Sequence, residues 1–374
     1  MIKKLRLEAF KCFEDESLEF RNLTILTGTN GSGKSSVIQS LLLMSMHLNK
    51  EYGSPLGRYL DFLVNFEDIA NFNLNKDKSS ITLDAFDKKF SLQRTKDNFH
   101  LAGDTLNEQT KLLEFSTQNA LSIETSNGSL PTLMKLSYSM GRLVFLSADR
   151  IGPQDLYNKN TNPMDRFGIL GEYTMSYLET ARKMRKSIIE ELCKDERNTL
   201  DSQVNYWLKH IANTTIETEE IVGTNLIKAR FKNSNASVQP KNMGSGMSYL
   251  VSILVICLAA KKEQIVIIEN PEIHLHPKAQ SNLGEFFAFV ASKGIQIIIE
   301  THNDHLINRL RYEVFKNNLK ADDIIIHYKE NNSPFEQIEI MENGKFKNKD
   351  GENSFPQGFY DATLSEIFAI NRGQ

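Results

Sequence analysis

Cysteine is scarce: Cys12, Cys193 and Cys257 are the only three in 374 residues, and no two form a C-x-x-C pair. Neither a disulfide framework nor a zinc ribbon is therefore expected, and the three read as core or neutral surface residues. Long apolar runs are missing as well. No stretch of about 18 residues could span a bilayer, so no membrane association is expected. The amino terminus, MIKKLRLEAFKCFED, passes from two lysines into alternating apolar and polar residues. It lacks the apolar core and small-residue cleavage site of a signal peptide, and the expected location is the cytoplasm. A basic excess is absent too: 44 Lys+Arg against 47 Asp+Glu give a formal net charge of -3, which does not mark a nucleic-acid-binding chain. DNA remains a candidate partner only through a local patch such as ARKMRKS, Ala181 to Ser187, and on a helix such charges are more often a solvated face.

There is enough apolar material for a large core, with 40% of residues hydrophobic and 24% charged. The length exceeds that of a typical single domain, so two domains, or one with an insertion, are expected. KKLRLEAF, ESLEF and NLTILTG read as strands, and SSVIQSLLLMSMHLNK reads as a buried helix. From Tyr52 to Leu146 the pattern is mixed; SSITLDAF, KKFSLQR and RLVFLSA are strand-like, with their pairing left open. Between Gly171 and Ala212 helical spacing runs without a proline or an internal glycine, which predicts a helical insertion. TIETEEIVGTNLIKARF returns to strands. The segments YLVSILVICLAA, QIVIIENPE, LHPKAQSNLGEFFAFVASKG, IQIIIETH and NDHLINRLRYEVF then alternate helix and strand, and the continuous β-branched runs predict parallel strands buried on both faces of an α/β sheet. The tail, DIIIHYKENNSPFEQIEIM, predicts a hairpin turning at Asn331 to Pro334, with a short closing helix behind it. The expected divisions are an N-terminal lobe over 1–165, a helical insertion over 166–220 and a C-terminal lobe over 221–374.

Gly28, Thr29, Asn30, Gly31, Ser32, Gly33, Lys34 and Ser35 fit G-x-x-x-x-G-K-[ST] in full, between a predicted strand and a predicted helix. In that setting the glycines let backbone N–H groups wrap phosphate oxygens, Lys34 brings a positive charge to the β/γ phosphates, and Ser35 offers a hydroxyl to Mg²⁺. Asn30, Gly31, Ser32, Gly33, Lys34, Ser35 and Ser36 are the candidate ATP contacts. Such a cradle serves kinases, GTPases, ATP-driven machines and passive sensors alike, so a second site must decide between them.

In IVIIENPEIHLHP a buried strand ends in Glu269, with Glu272 three residues on. A carboxylate at the carboxyl end of such a strand is placed to hold Mg²⁺ or its waters, and a second can orient a water toward the γ-phosphate. The plainer reading, a helix-start cap after Pro271, accounts for Glu272 but not for Glu269. In IIIETHNDHL a second buried strand ends in Glu300, Thr301 and His302, and a histidine there can reach the γ-phosphate. His274, His276, His302 and His305 have spacings that permit a zinc site, although no cysteine accompanies them. NMGSGMSYL, with Gly244, Ser245 and Gly246, is either an ordinary helix entry capped near Ser245 or Ser248, or a second phosphate-binding helix start. Gln39, on the helix after the loop, is a further candidate toward Mg²⁺ and more simply a polar surface position.

Together these four elements resemble the ABC-type ATPase heads of the SMC/RecF class. More closely, they resemble the compact prokaryotic AAA-type ATPases of the overcoming-lysogenization-defect (OLD) and anti-phage defence kind. IKKLRLEAFKCFED resembles the strand pattern before the phosphate loop, GTNGSGKS the Walker A segment, IVIIENPEIHLHP the Walker B segment with its P-E-x-H-L-H-P extension, and ETHNDHL the switch-histidine segment. NMGSGMSYL sits where the family signature belongs, and LSADRIGP resembles a segment closing the first lobe. The fold implied is α/β, a P-loop NTPase of ABC-ATPase-head type: a mixed sheet with an N-terminal antiparallel β region and a helical insertion.

The resemblance implies ATP and Mg²⁺ as cofactors, with Ser35 and Glu269 toward the metal and Glu272, Glu269 and His302 as catalytic candidates. It also implies a homodimer or higher oligomer in which Gly244, Ser245 and Gly246 of one copy close over the ATP of the other. An ABC head usually ends the Walker B strand with Asp and then Glu; here Glu269 and Asn270 occupy those places, so hydrolysis is expected to be slow or to fall to Glu272. Roughly 70 residues follow His302, too few for a Toprim nuclease domain, so a separate effector, a toxin or nuclease, is the expected partner. The alternatives are a RecF-like DNA-repair ATPase and an ATP-gated scaffold without turnover.

Overall fold

Runs of β-branched residues build the centre of the molecule. In this computed structural model β3 (Leu23–Gly28), β8 (Leu143–Leu146), β13 (Ile265–Glu269), β14 (Gln296–Glu300) and β15 (Ile324–Lys329) are buried at every position. They pair in parallel in the order β8-β13-β14-β3-β15, and β16 (Glu336–Ile340) and β17 (Phe346–Asn348) extend the sheet antiparallel at the β15 edge. The structure describes residues 1–374 except 72, 75, 104–112, 116–135, 139–140, 163–164, 234–235, 332, 349–350, 352–354, 357–358 and 361–374. The hairpin expected in the tail is β15 and β16. The closing helix expected behind it lies outside the described residues.

Successive side chains on a strand point to opposite faces, and the two faces of this sheet feed two cores. Val266, Ile268, Ile297 and Ile299 pack with the helices α6 (Gly246–Leu258) and α7 (Pro277–Ala291). Ile265, Ile267, Ile298 and Leu26 pack on the other side with α1 (Lys34–Asn49). That second core is closed by an antiparallel sheet ordered β2 (Phe13–Glu19), β1 (Ile2–Phe10), β4 (Lys78–Ala85), β5 (Lys88–Thr95), β6 (Phe99–Gly103) and β7 (Leu113–Phe115). Helix α1 therefore has apolar partners on both sides, which is why its apolar residues are not confined to one stripe. The short helices α2 (Pro55–Tyr59) and α3 (Phe66–Ile69) connect it to the antiparallel sheet.

The 171–212 stretch, expected as a helical insertion, holds two helices, α4 (Thr174–Lys183) and α5 (Leu200–Ala212). No glycine is needed for the stop. Arg185 takes a left-handed φ of 47°, and the Lys186 N–H returns to the Ala181 carbonyl at 2.8 Å, closing the helix end. Nor does the segment project from the body of the protein. Trp207 on α5 is 1% exposed and meets Phe286 and Phe289 of α7 with ring centres 5.0 and 5.3 Å apart. Beside it, β10 (Thr215–Glu220), β11 (Leu226–Lys232), β12 (Ser237–Val238) and β9 (Leu156–Asn158) form a small sheet of their own.

Candidate functional site

The loop after β3 closes on its own lysine. Lys34 Nζ donates to the Thr29 carbonyl at 2.6 Å and the Gly28 carbonyl at 3.3 Å, and lies 3.5 Å from Ser32 Oγ. These partners are neutral oxygens, and a phosphate would give the ammonium a counter-charge as well as an acceptor. Helix α1 begins at Lys34 with no acidic residue in its first turn, so the helix itself carries no side chain that neutralises the positive end of its dipole. Asn30, Gly31, Gly33, Lys34, Ser35 and Ser36 line a cavity of about 620 Å³, joined by Asn270, Glu300 and His302 from the adjoining strand ends. Ser32, the remaining candidate contact, is the one whose hydroxyl faces Lys34.

Three carboxylates gather at these strand ends, each raised above its ordinary value chiefly by burial. Glu269 accepts from the Ala148 N–H at 3.0 Å and from the Ser147 hydroxyl at 3.4 Å. Glu272 accepts from the His302 N–H at 3.1 Å. Glu300 accepts from the Ser35 hydroxyl at 3.0 Å and is pushed up to about 7 by burial and then by the charge of Glu269. Burial lowers Lys34, against the pull of Glu300. His302 is lowered by partial burial of its ring and by the Lys34 charge, against a hydrogen bond to the Gly28 backbone.

Glu272 Oε2, Glu300 Oε2 and Asn270 Oδ1 are buried without a hydrogen-bond partner. Buried polar atoms are rarely left so, and two of the three, on Asn270 and Glu300, belong to residues that line the phosphate-loop cavity with Ser35, a set of oxygens that suits Mg²⁺. That ion takes one or two carboxylates and fills its other positions with phosphate oxygens and water. The histidine alternative does not assemble. His274 stacks on Tyr249 with ring centres 5.5 Å apart, and His276 Nδ1 caps α7 by accepting from the Lys278 N–H at 3.3 Å. Among the described residues no group of three or more His, Cys, Asp or Glu side chains is placed to hold a metal ion.

Gln39 is drawn elsewhere, its side-chain oxygen accepting from Lys11 Nζ at 2.5 Å. The signature-like residues separate. Gly244 is exposed and Ser245 half-buried with no side-chain bond to the helix, so the capping reading of Ser245 fails. Gly246 is buried, and a β-carbon there would stand 2.3 Å from the His274 carbonyl of its own chain. None of the three lines the cavity of its own phosphate loop.

Arg150, inside LSADRIGP, is a structural hub that its sequence context did not single out. It is buried, and its guanidinium donates to the carbonyls of Ser147 at 3.2 Å, Glu269 at 2.6 Å and Asn270 at 2.5 Å. It also lies 5.6 Å from the ring centre of Tyr249 on α6. One side chain thus ties the end of β13, where Asn270 adopts a φ of 40°, to the helix that follows the signature-like loop.

A parallel sheet wound with helices, a phosphate loop before its buried helix and acids at the adjoining strand ends define an ABC-type, SMC-like AAA ATPase domain. Residues 23–308 match the family described as "AAA domain, putative AbiEii toxin, Type IV TA system", and the chain belongs to that family. A curated relative, an OLD nuclease of Thermus scotoductus, is 21% identical over 338 residues. The match covers 84% of this chain, which spans 61% of that protein's length. Among solved structures, an SMC head bound to the C-terminal winged-helix domain of ScpA aligns with a TM-score of 0.55 at 13% identity, covering 91% of this chain and 98% of that one. An SMC head with an extended coiled coil, bound to the C-terminal domain of ScpA and derived from Pyrococcus furiosus, aligns with a TM-score of 0.53 at 11% identity, covering 98% and 99%. At these identities the likeness establishes the fold.

Proposed function

We propose that this chain binds and hydrolyses ATP with Mg²⁺, that bound ATP draws two copies together, and that the closed dimer controls a separate effector, a toxin or nuclease, in anti-phage defence. The observation that carries the reading is the cavity where a complete phosphate loop meets Asn270, Glu300 and His302. In it, the loop amides and Lys34 hold the phosphates, and Ser35 with a strand-end carboxylate holds the cation. Mg²⁺, when bound, supplies charge stabilisation at the transferring phosphoryl group. Glu272, fixed by the His302 amide, orients the attacking water and accepts its proton, and His302 reports the γ-phosphate.

Dimer closure is supported by the exposure of Gly244, with Ser245 half-buried beside it, away from the cavity of their own phosphate loop. The effector is supported by the toxin named in the family description and by the nuclease relative, of which this chain spans only part. Among the described residues no helix is long and apolar enough to cross a membrane, and this reading places the protein in the cytoplasm. Asn270 favours a second reading, an ATP-gated scaffold, because a carboxamide cannot accept the proton that a glutamate at that place would take.

Steady-state ATP hydrolysis separates the two. Glu272→Gln is expected to lower turnover roughly 10²- to 10⁴-fold, the usual effect of removing a general base, with ATP binding retained. Equal turnover in wild type and Glu272→Gln contradicts the assignment; no turnover in either, with ATP bound, selects the scaffold. Stimulation by double-stranded DNA would shift the reading toward a repair ATPase.

A further inference from the structure

We propose that the outer edge of β10 is a docking site for an extended segment of a partner protein, read as basic, apolar and basic residues at successive positions. The site shares no lining residue with the phosphate-loop cavity, so the inference stands apart from the nucleotide reading.

The backbone makes the first case. Among the described residues β10 pairs along one side only, with β11. On the other side the Ile216 N–H donates to Asn205 Oδ1 at 2.7 Å, and the Ile216 carbonyl accepts from Asn205 Nδ2 at 3.1 Å. The carboxamide from α5 thus takes the place of one residue of a neighbouring strand. Alternate residues of an antiparallel strand direct their N–H and C=O groups to the same side, so Thr218 turns its pair outward as well. There a cavity of about 490 Å³ stands where a neighbour would lie, bounded by Leu178 and Arg182 of α4, by Asp201 and Asn205 of α5 and by β10 itself. Asn205 closes one end and the Lys183–Glu220 ion pair stands at the other, so a short segment is admitted. Strand addition at such an edge is held by main-chain hydrogen bonds, and alternate side chains give it specificity.

Charge makes the second. Glu217 and Glu219 are exposed on the outer face of the small sheet, where they already stand opposite Arg230 and Lys228 of β11. An added strand sets its own side chains about 4.5–5.5 Å from the same acids on their other side, where opposite charges attract and like charges repel. Its two outward positions are therefore Lys or Arg. Its middle position, opposite Thr218, turns to the inner face, where the Thr218 hydroxyl donates to Glu179 at 2.8 Å and Leu178 is 2% exposed, and a small apolar residue fits there. A second copy of this chain is the poorer occupant. Pairing β10 with itself about Thr218 puts Glu217 of each strand against Glu219 of the other, and like charges directly opposite are destabilising.

The test is fluorescence anisotropy on the full chain with the labelled peptides GSKVKSG, GSEVESG and GSKPKSG. Wild type should bind the first about tenfold or more tighter than the second, and the proline peptide, which lacks the central N–H, should lose a similar factor. The double variant Glu217→Lys, Glu219→Lys should prefer the acidic peptide instead, with thermal melting as the control for its fold; an unchanged preference overturns the charge assignment. Equal binding of the valine and proline peptides by wild type shows attraction by charge alone and overturns strand pairing. Absence of binding by wild type overturns the proposal and leaves the acids the common task of keeping edge strands apart. Neither of these two results needs the variant to fold. If wild type without nucleotide is a dimer that the double substitution splits, the edge belongs to a second copy and the proposal fails.

Discussion

Lys34→Ala is expected to weaken ATP binding about 100-fold and to bring turnover to background. The ammonium rests 2.6 Å from the Thr29 carbonyl and 3.3 Å from the Gly28 carbonyl, inside the loop that would enclose the phosphates. A hydrogen bond to a charged group contributes about 1.5–3 kcal/mol, and at the upper end each 1.4 kcal/mol is a factor of ten. The fold should be spared, because the loop carbonyls released by the substitution lie beside the cavity and can turn to water. A fluorescent ATP analogue titrated against both proteins checks this, with thermal melting as the control. Affinity within a factor of three of wild type would mean that the loop does not grip phosphate through this side chain.

Gly28→Ala should have the largest effect on stability. Gly28 ends β3 with a φ of 131°, and a β-carbon there would stand 1.9 Å from the Lys329 carbonyl oxygen. That oxygen cannot simply withdraw, because it belongs to the β3–β15 pairing and accepts from the Thr29 N–H at 3.1 Å. Backbone strain and overpacking each cost about 1–3 kcal/mol, a combined loss of roughly 2–6 kcal/mol against a total stability of about 5–15 kcal/mol. Gly31→Ala is the contrast. Its φ is 73° but nothing lies within 4 Å of the added carbon, so only the conformational cost of about 1–2 kcal/mol applies. Urea unfolding should therefore rank wild type above Gly31→Ala and both well above Gly28→Ala; a Gly28→Ala midpoint equal to that of Gly31→Ala would show that β15 yields.

How much of this was legible in the sequence differs from element to element. The phosphate loop and the buried parallel strands announce themselves locally, through glycine spacing and unbroken β-branched runs, and the fold follows from them. Strand order does not announce itself. Glu269 and Glu300 each end a buried strand and read alike along the chain; only the placement of β14 between β13 and β3 brings Glu300 to Ser35. Arg150 was hidden for the same reason, because its partners, Glu269 and Asn270, lie some 120 positions away. In the signature-like loop, composition cannot tell that Gly246 packs under the His274 carbonyl while Gly244 is open. The break between α4 and α5 is likewise silent, since Arg185 supplies the left-handed turn that glycine usually provides. SSITLDAF and KKFSLQR read as strands, but the pairing of β4 with β1 joins segments some 75 residues apart.

The proposal that ATP acts as a clasp is tested most directly by sedimentation velocity on Glu272→Gln, in which turnover is blocked and binding kept. With Mg²⁺ and ATP the protein should sediment as a dimer; with ADP, or with Lys34→Ala added, it should sediment as a monomer. A monomer at saturating ATP, or a dimer whatever the nucleotide, would contradict a nucleotide-driven closure.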